Sequence, residues 1–251
     1  MHSSLTSSDW GPTFDGDFFP SNHTVLRPLA PNIPRVYGCA FMEGASFMFG
    51  FNISNTTLNE QLQYFVPEGT PFRSDIISNL TRQYNDEAMT LESTASVKHA
   101  SQAAFGERLF VAGIKDAMDK YLEIHGKDYK AYSYVFKYFN TASAGTWYPF
   151  VSFTFHVSEG FYMQGNGAWK YSNEDKIVLR FMSTALANFV KTGDPNGIDS
   201  TVLPFTWLPL TPEHPDRHLD ITLNPKTSEN YFNGRPKLNN DLGHTAGTID
   251  I

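Results

Sequence analysis

Among the eight histidines of this 251-residue chain, His156 stands in FTFHVSEGF (153–161), with aromatic neighbours, Glu159 three residues on and a glycine directly after. An imidazole in such a loop has the chemistry of a general base. That chemistry needs a nucleophile within hydrogen-bond reach and a carboxylate to hold the ring's tautomer. Taken alone, the same histidine reads more readily as a structural one satisfied by its loop. The sequence offers little to serve it. There is no GxSxG pattern; the nearest approximations, GASF at Gly44 and ASAG around Ser143, have the wrong spacing. No two glycines are adjacent, so the chain lacks the glycine run from which a backbone oxyanion hole is commonly built.

Other reactive types resolve into structural roles. The single cysteine, Cys39, excludes an internal disulfide and a thiolate metal cluster, and its setting in RVYGCAF marks an inert core thiol. EHPDRH places His214 and His218 four apart among acids, but Pro215 breaks the helix that would present both to one ion. No metal and no cofactor is implied. His99, on a helix face, and His125, at a helix end, are assigned to solvation and capping. Phe47, Phe49 and Phe51 cluster near Glu43; core packing is the expectation, with an acyl-binding pocket as the alternative.

These side chains need elements to position them. NIPRVYGCAF is a short β-prone run closed by MEGAS, which predicts a strand delivering Glu43 to a loop at its C-terminal end. WGPTFDGDFFP (10–20) carries an Asp-Gly turn signal and predicts a hairpin-like excursion. Helical material fills 55–125, in NTTLNEQLQYF, RSDIISNLTRQYN and VKHASQAAFGERLFVAGIKDAMDKYLEIHG. In the last, Phe105, Leu109, Ala112, Met118 and Leu122 form an apolar stripe, with Gly126 as the terminating cap. AYSYVFKYF (131–139) is the strongest strand, and an aromatic loop from 140 to 171 carries His156. SNEDKIVLRFMSTALANFVKTGDPNG opens on a capping box, Ser172 with Asp175. It presents Ile177, Phe181, Met182, Ala185, Leu186 and Phe189 before stopping at Gly193. Strand, helices, strand and long helix make the class α/β.

Composition narrows the partners. The chain is 41% hydrophobic and 15% aromatic, ample for a core, and its formal charge of -7 provides no basic stripe for nucleic acid. No window approaches the roughly 20 apolar residues of a membrane helix. Asn22, Asn52, Asn55 and Asn79 each open an Asn-x-Ser/Thr sequon, which leans toward a glycoprotein of the secretory pathway. MHSSLTSSDWGP is no signal peptide, so the expectation is that an N-terminal part is missing.

Beyond α/β, the residues resemble a family. GPTFDGDFFP, YGCAFMEGASFMF, AYSYVFKYF, FHVSEGFYMQG, FVKTGDPNG and FTWLPLTPEHPDRHLDI occur in the order and at the spacing of the C-terminal half of the type-B carboxylesterase and cholinesterase family, on the α/β-hydrolase fold. The resemblance covers about 10 to 235. It implies the last strands of the central sheet, a helical insertion and the closing helix, with residues 10–238 as the body and 1–9 and 239–251 as weakly ordered tails. It implies Glu43 as the triad acid, His156 as the general base and Glu159 as a carboxylate supporting the histidine loop. The chain order of acid before histidine agrees with that fold. Two positions depart from the pattern: Val157, where the family usually has something small, and Met42, where an acidic or polar residue is common.

The resemblance implies a carboxylic ester hydrolase, secreted or lumenal in its full-length relatives, whose substrate is a small carboxylic ester once a serine-bearing N-terminal half completes it. With no serine nucleophile in these residues, the expectation is that they are inactive alone. Two alternatives stand beside this: a non-catalytic cholinesterase-like adhesion or binding protein, and a truncated product needing a protein partner to cover its apolar surface.

Overall fold

Short, aromatic and β-branched, the run Ala131–Phe136 forms the central strand of the sheet in the computed structural model, which describes residues 14–48, 53, 56–89, 96–144, 153–165, 170–198 and 203–245. Strand β1 is Arg35–Ala40, β2 Ala131–Phe136, β3 His218–Ile221 and β4 Lys226–Ser228, in spatial order 1-2-3-4. The first three are parallel and β4 closes one edge antiparallel. All six residues of β2 are buried, as a parallel strand covered on both faces requires. Tyr132, Tyr134 and Phe136 face one layer with Trp207, Leu219 and Ile221, while Val135 packs with Cys39, Val111, Tyr231 and Phe232 on the other. Gly38 admits the Tyr134 ring across β1, since a Cβ there would lie 1.9 Å from it.

The helices among the described residues are α1 His23–Leu26, α2 Thr57–Phe65, α3 Arg73–Met89, α4 Ser96–Gly106, α5 Ala112–His125, α6 Thr141–Ala144, α7 Gly160–Gln164, α8 Asn173–Thr192 and α9 Arg235–Thr245. Helices α2 to α5 fill the crossover from β1 to β2, and α8 lies in the crossover from β2 to β3. Arg235, fully buried, pairs with Glu107 and Glu87, tying the start of α9 to the helical crossover. No helix among the described residues is long and apolar enough to span a membrane.

Local signals are realised where they are purely local. Ser172 accepts from the Asp175 amide at 3.1 Å and Asp175 accepts from the Ser172 amide at 2.7 Å, completing the capping box; Gly193 ends α8 in the left-handed conformation. Gly126, at φ 56°, ends α5.

Other expectations shift. The DG segment forms no strands among residues 14–19: the Asp15 carboxylate takes the amides of Asp17 and Phe19 instead, a local turn that leaves Phe14 and Phe18 exposed. A π turn, Glu107–Val111, joins α4 to α5 and slips the apolar stripe, so Val111 is buried and Leu109 is exposed. On α8, Val178 takes the inward place; Ile177 and Leu186 face solvent. Helix α9 continues through 239 to Thr245, past the end drawn from sequence at 238, with Asn239, Asn240 and Leu242 buried. The first nine residues, Phe49, Phe51, Asn52 and Asn55 lie outside the described residues.

Candidate active site

The end of β1 turns at Met42 into a short 3-10 turn, Glu43–Ala45, that packs against α4 at the tightest backbone contact of the site. A Cβ on Gly44 would lie 2.1 Å from the Gln102 carbonyl oxygen, and one on Gly106 would lie 2.4 Å from the Gly44 nitrogen. Two facing glycines therefore let turn and helix meet backbone to backbone, and the turn carries Glu43. Its carboxylate is buried, with Oε1 accepting from the Ala40 amide at 2.7 Å.

Glu43 Oε2 lies 2.6 Å from His156 Nδ1. A carboxylate only accepts, so Nδ1–H donates and the other ring nitrogen, Nε2, is left as the acceptor. The contact joins residues 113 apart in sequence, one after β1 and one in the loop after β2. Parallel pairing brings the C-terminal ends of those strands side by side. The histidine side chain is 36% exposed, against 5% for Glu43, so the imidazole opens to solvent while the carboxylate does not.

A tight turn presents the ring. The Ser158 amide donates to the Phe155 carbonyl at 2.9 Å, and Ser158 Oγ accepts from the Phe155 amide at 3.2 Å. Val157, at φ 71°, holds a left-handed conformation that a β-branched residue rarely adopts, which gives a physical reason for a small residue after the histidine. Phe110, from the π turn, stacks on the imidazole at 4.5 Å between centroids, and Phe47 approaches it at 5.2 Å. Phe47 is thus a half-exposed wall of the histidine and not a core residue. The partnership of Phe110 with His156 was not read from the sequence, where it looks like one more apolar residue in a helical run.

Glu159 is drawn into the same neighbourhood. Burial, with the Glu43 charge adding to it, pushes its carboxyl up to about 7, and its Oε2 is buried without a hydrogen bond. Its carbonyl accepts from the Tyr162 and Met163 amides, starting α7.

The remaining histidines are placed elsewhere. His99 is buried, with both ring nitrogens unpartnered, between Phe41 and Phe153, so solvation does not account for it; burial lowers it to about 4. His125 packs on Tyr121 and Tyr129. His214 pairs with Glu229 at 2.7 Å, while buried His218 donates from Nδ1 to the Asp216 carbonyl at 2.9 Å. Cys39 is buried against the Tyr231 hydroxyl, and burial pushes its thiol well above the usual range. Asn22 and Asn79 are exposed; Asn22 caps α1 by accepting from the Val25 amide, and Asn79 accepts from Arg82.

Comparison with known proteins identifies the family and the fold. An esterase of Caenorhabditis elegans is 28% identical over 219 residues, covering 84% of this chain and 39% of its own length. Human bile salt-activated lipase is 28% identical over 220 residues, covering 84% of this chain and 28% of its own. The chain thus spans well under half the length of these relatives. A carboxylesterase crystal structure from Geobacillus stearothermophilus at pH 6.2 superposes with a TM-score of 0.66 at 21% identity, over 92% of this chain and 45% of that one. The shared fold is a portion of the α/β-hydrolase fold. The model of the carboxylesterase family matches residues 2–238, and the chain belongs to that family.

Proposed function

We propose that this chain supplies the acid and the base of a carboxylic ester hydrolase, Glu43 as triad acid and His156 as general base. The observation that carries the reading is the 2.6 Å contact from His156 Nδ1 to a buried carboxylate already held by a backbone amide. With Nδ1–H committed to Glu43, Nε2 takes the proton of a serine hydroxyl as its oxygen attacks the ester carbonyl. Glu43 stabilises the imidazolium that forms. The same proton then passes to the departing alkoxide, and a water activated by Nε2 releases the acyl group. Phe110 and Phe47, themselves 5.3 Å apart, cluster with the ring and hold it to the geometry this transfer needs. Glu159 supports the histidine loop through its carbonyl.

The serine comes from a segment bearing a GxSxG elbow. Among the described residues β1 pairs only with β2, so its outer edge is available to the strand that leads into that elbow. The substrate is a small carboxylic ester. These 251 residues, with no serine on such an elbow, do not turn over esters by themselves. A fluorophosphonate probe should leave every serine of the chain unlabelled; a labelled serine would refute that part. Co-expression with a serine-bearing N-terminal half of a carboxylesterase should restore labelling and hydrolysis of a short-chain p-nitrophenyl ester. His156→Gln or Glu43→Gln in this chain should remove both, and a complex equally active with either change would overturn the assignment.

A secretory route goes with this reading, supported by the exposure of Asn22 and Asn79. Expressed behind a signal sequence in a glycosylating host, the chain should lose mass on treatment with peptide-N-glycosidase, and less so in Asn22→Gln and Asn79→Gln. No change on treatment would count against it.

A further inference from the structure

A helix cap needs one acceptor, yet Asp175 serves five donors. Its carboxylate is fully buried and accepts from the Ser172 amide at 2.7 Å, which is the capping bond. The others come from outside α8. Tyr162 OH donates to Oδ1 at 2.8 Å and Tyr138 OH to the same oxygen at 3.1 Å. Asn140 Nδ2 donates to Oδ2 at 3.3 Å, and Ser143 Oγ donates to that oxygen too. Ionised, a carboxylate offers about four lone pairs and no proton, so five donors, the Asn140 amide the longest at 3.3 Å, leave no lone pair free.

The donors are not scattered along the chain. Tyr138, Asn140 and Ser143 lie on the segment leaving β2, and Tyr162 and Ser172 on the return to α8; His156 is carried between them. Tyr162 belongs to α7, which begins at Gly160 directly after the turn holding His156. Its ring is wedged against Phe136 at 5.3 Å and Tyr138 at 5.5 Å, so it ties that turn to the end of β2.

We infer that Asp175 is a positioning residue for His156: it closes the base of the histidine-bearing loop, fixing both ends of the segment that sets the imidazole on Glu43. The inference rests on reading Glu43 and His156 as the acid–base pair. Asp175 touches neither of them and acts through Tyr162 and the β2 exit. Burial favours the neutral acid, but the Ser143 hydroxyl, the Ser172 amide and the Tyr162 hydroxyl outweigh it and hold Asp175 below the usual carboxylate range.

The test is proton NMR on the isotopically labelled protein. The Nδ1 proton shared with Glu43 should give a low-field resonance, assigned by its loss in His156→Gln and in Glu43→Gln. Asp175→Asn keeps the shape but faces hydroxyl and amide donors with an NH2 group. It should retain helical circular dichroism while exchange of the Nδ1 proton and of the 158–163 amides accelerates about tenfold or more. Tyr162→Phe, which removes one donor and leaves the carboxylate in place, should show a smaller change in the same protons, and it decides the matter if Asp175→Asn does not fold. Leu122→Ala is the control: it opens the core under α5, in a cluster that holds no member of the network, so it should lower stability and leave the Nδ1 resonance in place. A folded Asp175→Asn with wild-type exchange at those protons would overturn the inference. So would equal acceleration in Leu122→Ala at matched stability, because the role would then be merely structural. A wild-type protein with no Glu43-dependent resonance would instead overturn the acid–base reading, and this inference with it.

Discussion

Replacing Gly106 by alanine tests whether the acid turn is held by backbone contact with α4. In an ordinary exposed helix the change stabilises by about 1 kcal/mol, because alanine loses less entropy on ordering. Here the added Cβ would lie 2.4 Å from the Gly44 nitrogen, 3.0 Å from Glu43 Cβ and 3.1 Å from the Glu43 carbonyl carbon. Restoring ordinary contact moves the turn back by about 1 Å, and such overpacking costs about 1–3 kcal/mol. The turn cannot pivot cheaply, since Gly44 is already against the Gln102 carbonyl and Glu43 is tethered to the Ala40 amide. Gly113, on α5, supplies the matched control, because a Cβ there meets nothing within 4 Å. Gly113→Ala should raise the urea midpoint and Gly106→Ala should lower it, with equal slopes and stabilities about 1–3 kcal/mol apart. The 2.6 Å contact of Glu43 with His156 should lengthen only in the second. A midpoint for Gly106→Ala at or above that of Gly113→Ala would refute the reasoning.

Val157→Gly removes a left-handed β-branched residue whose side chain is 56% exposed, so it should stabilise by about 1 kcal/mol; loss of stability in a urea titration would show that no strain is stored there. His99 is held neutral, lowered from 6.5 to about 4, so the unfolded chain binds a proton first and stability falls as pH drops through that window. His99→Phe, which gives up no hydrogen bond, should flatten the loss, worth up to about 3 kcal/mol at pH 4, and an unchanged acid limb would contradict the assignment. Glu159 has the opposite sign. Raised from 4.5 to about 7, it contributes stability that is complete below the first value and disappears as pH rises through the second, so Glu159→Gln should flatten that decline in thermal melts followed against pH. A pH profile identical to wild type would reject it.

What the sequence disclosed follows the range of the interaction. The capping box at Ser172 and Asp175 and the stop at Gly193 are decided within a few residues, and they were legible as such. So was β2, whose tyrosines, valine and phenylalanine fit a strand buried on both faces. The pairing of Glu43 with His156 spans 113 residues, and no spacing rule reaches that far; it was legible only through likeness to a family. The π turn escaped because one extra residue shifts the helical phase without any signature of its own, and with it went Phe110. His99 was misread for a related reason. Its neighbours Ala100, Ala103 and Ala104 let α4 be enclosed by α2, α3 and the acid turn, so a position that a two-sided helix would expose is buried. The strand β4 escaped too, for Lys226 and Thr227 are exposed and carry no apolar alternation.

Two carboxyls in the neighbourhood of one imidazole would ordinarily compete for it, and the structure separates them by what each is given to bind. Glu43 has a backbone amide on one oxygen and the imidazole on the other, so each oxygen has its donor. Glu159 has burial and a nearby like charge, and its Oε2 has no donor. Environments that differ in this way divide two like groups into different roles. A second full charge beside Glu43 would draw His156 away from the single contact that orients it, whereas a carboxyl held up to about 7 keeps much of its proton near neutrality. Of the two carboxyls, Glu43 is therefore the one whose donors suit the acid role proposed for it. Exchanging Glu43 for glutamine while leaving Glu159 intact should then abolish the orientation of His156, with no rescue from the second carboxyl.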